Sequence, residues 1–194
     1  PSVKTLQIHS ATFESGVLDN QEVLMRLAEI KTTGVVIGLT SSGHNQLEVL
    51  RYALDVDVEG LQIFDLFQVT YNVMDQSLAV LCNDLRDKKV VIKEAMANGR
   101  VFRNKAYPNQ NELYAGLEVI AQKYKVGIDA VALRFCMDTI QPFVVLSGAA
   151  SPGQIADNLK AYNFKLSADE IEELKAFGML TETYWQERKQ MLWN

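Results

Sequence analysis

The chain has 194 residues, 48% of them hydrophobic and 22% charged, with a formal net charge of −5 and a pI near 5.1. This composition excludes a disordered, collagenous or low-complexity chain, and the acidic balance argues against a nucleic-acid partner, which needs a concentrated basic patch. No apolar run reaches the roughly 18 residues of a membrane span, no signal peptide opens the chain, and Cys82 and Cys136 form neither a disulfide framework nor a zinc motif, so no metal is expected.

In chain order, Val3–His9 reads as a strand, and Asn20–Thr32 as a helix with Val23, Leu24, Leu27 and Ile30 on one face, ended by Gly34. Val35–Thr40 is the next strand and Gln46–Leu54 the next helix. Phe64–Asn72 is a third strand, Gln76–Asp87 a helix and Val90–Ala95 a fourth strand, after which Asn98-Gly99 breaks the chain. Helices follow over Glu112–Lys123 and Asp129–Asp138, then a fifth strand over Phe143–Leu146. Gln154–Ala161 is a helix, Ser167-Ala-Asp-Glu opens another with a capping box, and Thr181–Trp193 reads as helical. Both cysteines fall in apolar helical patterns and are expected as buried, reduced thiols, in keeping with a cytoplasmic protein. No Pro/Gly/Ser-rich linker interrupts residues 1–194, so they read as a single domain.

Strands alternating with helices imply βαβ units and a parallel sheet. In such strands one face is apolar throughout, whereas the other turns polar at its C-terminal end, at His9, Thr40, Gln68 and Lys93. A doubly wound sheet covers both faces with helices and keeps both apolar. A (β/α)₈ barrel covers only the outer face and collects polar strand ends at its mouth. The pattern therefore favours an α/β chain built as a partial (β/α)₈ TIM barrel, with five parallel strands and helices on the outer face. A complete barrel has eight strands and about 250 residues, so three βα units are expected to precede Pro1.

His9 is either a strand-end histidine bonded to backbone or a donor that polarises a carbonyl at the mouth. His44, after Ser41-Ser42-Gly43, is expected on the surface in the first turn of a helix. Thr40 and Ser41 can cap that helix or bond a ligand amide, and Gln68, facing inward, needs partners for its own amide. The segment Val145–Asn158 runs from a strand through a small-residue loop into a helix whose free N–H groups suit an anion. Gln154, Asp157 and Asn158 fall on one side of that helix, although the loop can equally be a tight turn with solvated polar residues.

Taken together, these segments resemble the C-terminal part of an aldo-keto reductase, its fourth to eighth βα units. Gln7-Ile-His9-Ser resembles the strand that delivers the family's active-site histidine, Ile37-Gly-Leu-Thr-Ser41 its "IGxSN" strand, and Gln68-Val-Thr-Tyr-Asn72 its "QxxYN" strand. Lys93-Glu-Ala-Met-Ala-Asn98-Gly99-Arg100 resembles the next strand in one branch of the family, and Gly148 to Asn158 the loop and helix that hold the adenosine end of the cofactor. The resemblance covers nearly the whole chain. It implies a barrel that moves a hydride from NADPH to an aldehyde or ketone, using a tyrosine acid, a lysine and an aspartate that tune it, and a histidine.

Of those four residues only the histidine carries over, to His9; the others belong to strands this chain does not include. The implied cofactor-binding residues are Thr40, Ser41, Gln68, Lys93, Gly148, Ala149, Ser151, Gln154, Asp157 and Asn158. The family's Ser-Asn pair becomes Thr40 and Ser41, its nicotinamide-stacking aromatic becomes Lys93, and its 2′-phosphate position becomes Ala150, beside Ser151. The cofactor is therefore expected to be NADP(H), with NAD(H) left open, and the substrate a small carbonyl compound. Two readings follow: a portion of a full oxidoreductase, inactive alone, or a catalytically dead half-barrel acting as a nucleotide-binding or oligomeric assembly module. Unpaired edges at Val3–His9 and Phe143–Ser147, and an open inner face exposing Val36, Leu66 and Val91, lead us to expect a homo-oligomer, most simply a two-fold dimer, or a missing N-terminal half.

Overall fold

The computed structural model describes residues 3–104 and 110–191. A five-stranded sheet has the order β1 (Thr5–Ile8), β2 (Val36–Thr40), β5 (Leu66–Thr70), β6 (Lys89–Lys93), β7 (Val144–Val145). β1 pairs in parallel with β2 (Gln7 opposite Gly38), and β2 with β5 (Thr40 opposite Gln68). The chain packs as two compact units, residues 1–69 with 80–91, and residues 70–79 with 92–194. Their boundary passes through β5 and β6, so no linker separates them in the sequence.

In the first unit, α1 (Gln21–Thr32) starts where the Asn20 side chain accepts the Val23 N–H, and it buries Leu24, Leu27 and Ala28. Gly34 follows with φ +87°, a left-handed residue past the helix end. α2 (Gln46–Leu54) buries Val49, Leu50 and Ala53. A short hairpin, β3 (Asp57–Val58) and β4 (Leu61–Gln62), was not expected from the periodicity. Glu59 and Gly60 both have positive φ, as a two-residue hairpin turn demands, and Asp57 Oδ1 accepts the Gly60 N–H at 2.9 Å. β2 and β5 approach closely at Gly38: a Cβ there would lie 2.7 Å from the Leu66 carbonyl oxygen.

In the second unit, α3 (Asn111–Tyr124), α4 (Ile128–Ile140), α5 (Pro152–Leu159), α6 (Ala168–Lys175) and α7 (Thr181–Gln190) surround the end of the sheet. α4 is the centre of this unit, burying Ala130, Val131, Ala132, Leu133, Phe135 and Cys136, with Phe135 stacked on Tyr71 at 5.8 Å. The expected capping box opens α6: Ser167 Oγ accepts the Glu170 N–H, and the Glu170 carboxylate accepts the Ser167 N–H.

Several expectations are corrected. The predicted helix Gln76–Asp87 is a 3-10 turn over Ser77–Leu81 followed by irregular turns. Asn72 Oδ1 accepts the N–H groups of Met74 and Asp75, and Asp75 Oδ1 that of Ser77, so side chains take the backbone donors a helix would use. Leu78, Leu81 and Leu85 are still buried. Cys82 therefore lies in a turn, half-buried, whereas Cys136 is fully buried in α4, where burial pushes its thiol pKa up. The strands are shorter than expected, so His9 lies past β1. His44 lies in the turn before α2, exposed as expected. α7 ends at Gln190, and Trp193 falls outside the described residues.

The inner face is not open as expected: Leu66 and Val91 are buried, and Val36 is half-buried. Leu66 lies against the bare Cα of Gly38 on the neighbouring strand. The edge strands do remain exposed, with Leu6 at 38%, Val144 at 38% and the adjoining Phe143 at 62%.

Candidate functional site

In the first unit the candidate residues gather where β1, β2 and β5 end. The Ala11 N–H donates to the Thr40 carbonyl at 2.8 Å, folding the segment after β1 towards the end of β2. His9 is exposed, with Nδ1 2.8 Å from Ser10 Oγ. Thr40 Oγ1 donates a long bond to Gln7 Oε1, 3.5 Å. The Ser41 N–H donates to the Gln68 carbonyl at 3.1 Å. Gln68 itself is half-buried rather than fully enclosed. Ser41 is fully buried and its Oγ has no hydrogen-bond partner in the structure. An orphaned buried hydroxyl costs about 1–3 kcal/mol, so Ser41 Oγ fits a residue shaped to bond a ligand amide.

In the second unit a cavity of about 620 Å³ opens between the segment after β6 and the loop before α5. That volume falls in the usual range for small-molecule sites. Of the predicted cofactor residues, Lys93, Gly148, Ala149, Gln154 and Asn158 line it. Gly148 takes φ +62°, turning the chain from β7 towards α5. The loop is tied internally: the Ala149 N–H donates to Ser147 Oγ, the Ala150 N–H to Gln154 Oε1 at 2.7 Å, and the Gln154 N–H to Ser151 Oγ. Ser151 is thus the N-cap of α5, and two N–H groups expected to face an anion are already bonded. Asn158 Nδ2 donates to the Ser147 carbonyl at 3.2 Å, while its buried Oδ1 has no partner.

One geometric expectation is corrected here. Gln154 and Asn158 face the cavity, but Asp157 is exposed and paired with Lys160 at 2.6 Å, one turn on, which turns its carboxylate to solvent. Ser151 and Asp157 are outside the cavity lining.

The opposite wall carries Lys93 and, beside it, Glu94, which the sequence did not mark as a site residue; residues behind the wall hold Glu94. Lys93 is half-buried; burial lowers its ammonium pKa, Glu94 opposes that shift and Arg188 adds to it. Glu94 has φ +53°, and its carboxylate accepts from Arg188 Nη2 at 3.0 Å, from Arg188 Nε at 3.3 Å and from the Tyr184 hydroxyl at 3.3 Å. Asn72 Nδ2 donates to the Tyr184 oxygen and to the Glu94 carbonyl, both at 3.0 Å. Burial, then the charge of Glu94, pushes the Tyr184 hydroxyl pKa up. Tyr184, Trp185 and Arg188 are all buried on α7, at a spacing that could have marked an inward face. Among the described residues no group of three or more His, Cys, Asp or Glu side chains is placed to hold a metal ion, and no helix is long and apolar enough to cross a membrane.

Residues 2–178 match the aldo/keto reductase family. The chain belongs to that family. Solved structures show the same fold. The thermostable aldo-keto reductase Tm1743, in complex with the inhibitor epalrestat, is 22% identical, with a TM-score of 0.68 over 91% of this chain and 60% of its own. The apo form of aldo-keto reductase AKR11C1 from Bacillus halodurans is 19% identical, with a TM-score of 0.68 over 91% of this chain and 62% of its own. A variant of Gox0644 in complex with NADPH is 19% identical, with a TM-score of 0.67 over 92% of this chain and 60% of its own. This aldo/keto reductase chain thus spans about three fifths of the structures it matches. No curated protein sequence matches it.

Proposed function

We propose that the chain carries the fourth to eighth βα units of an aldo/keto reductase barrel, as one domain over residues 1–194, and that it binds a nicotinamide nucleotide, NADP(H) with NAD(H) left open. The observation that carries this reading is the orphaned Asn158 Oδ1, buried on a residue that lines the second unit's cavity and that the resemblance assigns to cofactor binding. In the second unit the cavity beside Gly148, Ala149, Gln154 and Asn158 takes the adenosine end, and Asn158 Oδ1 accepts from the base. When bound, the cofactor supplies a hydride to a small aldehyde or ketone. In the first unit His9 would donate a hydrogen bond to a carbonyl oxygen on which negative charge develops. The tyrosine that would protonate that oxygen, and the lysine and aspartate that tune it, lie outside these residues, so residues 1–194 alone are inactive in carbonyl reduction. The setting is cytoplasmic.

Titration of NADPH tests this reading. Asn158→Ala is expected to lower affinity about tenfold, the worth of one buried hydrogen bond of about 1.4 kcal/mol. Unchanged affinity would overturn the assignment.

A second reading, an oligomeric assembly module, is favoured by the exposed edges at Leu6 and at Phe143–Val144. Light scattering distinguishes the two: a monomer at micromolar concentration removes the assembly reading.

A further inference from the structure

The cavity wall from Lys93 to Phe102 is conformationally unusual, with Glu94, Ala97, Asn98 and Gly99 all at positive φ, between +49° and +88°. α7, at the far end of the sequence, holds this wall. Arg100 is fully buried, stacks over the Tyr184 ring at 4.0 Å and donates to Glu187 at 3.0 Å. The Trp185 indole donates to Asp75 at 3.1 Å. Together with the Asn72–Tyr184 bond, these contacts already dock the helix. The Arg188–Glu94 pair does something further, because Glu94 lines the cavity and Arg188 does not.

Among the described residues, the charged side chains in the cavity lining are Lys93, Glu94 and Asp129, one cation against two anions. A ligand carrying phosphate is repelled by such a wall unless a carboxylate is neutralised. Arg188 is buried and spends both its Nε and Nη2 on Glu94. We propose that Arg188 is a positioning residue for ligand charge: by holding and neutralising the Glu94 carboxylate, it lets the Lys93 ammonium set the field felt by the phosphates of a nucleotide. This inference rests on the nucleotide reading above and adds to it a residue that acts on the ligand's phosphates through another side chain.

The experiment titrates NADPH, ADP and adenosine into the wild-type protein, Arg188→Gln and the double variant Glu94→Gln/Arg188→Gln, with a thermal midpoint recorded for each. Arg188→Gln is expected to weaken NADPH and ADP by about tenfold or more while adenosine changes by less than about twofold, because a Glu94 carboxylate without its guanidinium repels only the phosphates. The double variant removes carboxylate and guanidinium together and is expected to bring ADP back to within about threefold of wild type. A uniform loss across the three ligands, or no recovery in the double variant, overturns the inference and leaves the nucleotide reading standing. A wild-type protein that binds none of the three overturns both. Should Arg188→Gln fail to fold, Arg188→Lys carries the test, since it keeps the charge but not the forked contact. ADP weakened a few fold with adenosine unchanged supports the inference, and equal losses for both overturn it.

Discussion

The two units make different use of the same family pattern. In the second, a cavity of about 620 Å³ is walled on one side by a self-tied loop and on the other by a segment that a buried ionic and aromatic network holds in left-handed geometry. In the first, the candidate residues are strand ends: His9 is exposed, Gln68 is half-buried, and Ser41 alone is enclosed and orphaned. Nucleotide affinity should therefore respond to substitutions around the second unit's cavity, and chemistry at the His9 end should be the weaker of the two functions. Enclosure differs because the cavity is lined by three separate segments, the one after β6, the start of α4 and the loop into α5, all within one unit.

Activity gives the largest expected effect. With His9 as its single carried-over catalytic residue, the 194-residue chain should reduce aldehydes at least about 10²- to 10⁴-fold more slowly than a complete family member, the share that general acid catalysis alone supplies. His9→Ala should then change nothing measurable. NADPH oxidation at a family-like rate, monitored by absorbance, would erase the contrast between the units. Next in size is a stability effect confined to the first unit. Gly38→Ala places a methyl 2.7 Å from the Leu66 carbonyl oxygen, and neither backbone can retreat without parting β2 from β5. A loss of about 1–3 kcal/mol is expected from such overpacking, read as a lower urea midpoint. Gly148→Ala meets no atom within 4 Å but carries φ +62°, so its cost is backbone strain of about 1–2 kcal/mol, felt at the cavity loop.

Much of the fold was legible because its signals are local. The helix α2 falls over Gln46–Leu54 as expected, Asn20 caps α1, and Ser167 and Glu170 form the expected box. The segment after Asp75 misled because Leu78, Leu81 and Leu85 keep a helical spacing while Asn72, Asp75 and Gln76 side chains claim the backbone; Gln76 also bonds the Lys175 carbonyl, 99 residues away. That Gln154 and Asn158 share a face was legible from their spacing on α5, and both line the cavity, but Asp157 was not separable from them until its pairing with Lys160 was known. The Glu94–Arg188 pair spans 94 positions and leaves no trace in periodicity or composition.

Acid sharpens the comparison from the second unit's side. Burial would raise the Glu170 carboxyl, but the Lys123 ammonium, the Ser167 N–H and the Tyr124 hydroxyl hold it down, at about 2 against an ordinary 4.5. A depressed carboxylate stabilises the fold fully above its unfolded value and loses that contribution as pH falls through its folded one. The window is therefore pH 4.5 down to about 2. Glu170→Gln should cost about 1 kcal/mol at neutral pH, as a weakened cap does, and should flatten the acid limb of a stability profile over that window. Equal acid sensitivity in wild type and variant would move the acid-labile group elsewhere.

The smallest expected effect separates a residue that shares the helix from those that line the cavity. Asp157 shares a helix with Gln154 and Asn158, yet its carboxylate is exposed and paired with Lys160 three residues on. An exposed pair at that spacing contributes about 0.2–0.5 kcal/mol to the helix and is screened by salt. Asp157→Ala should therefore lower the thermal midpoint only slightly, the more so at low ionic strength, and should leave NADPH affinity within about twofold of wild type. Asn158→Ala, one residue along, has the opposite profile: it removes the buried Oδ1 and the Nδ2 bond to the Ser147 carbonyl, so it acts on the cavity itself. If Asp157→Ala were the more damaging of the two to nucleotide binding, α5 would present a different face to the ligand, and the cavity bounded by Gly148, Gln154 and Asn158 would not be the adenosine site.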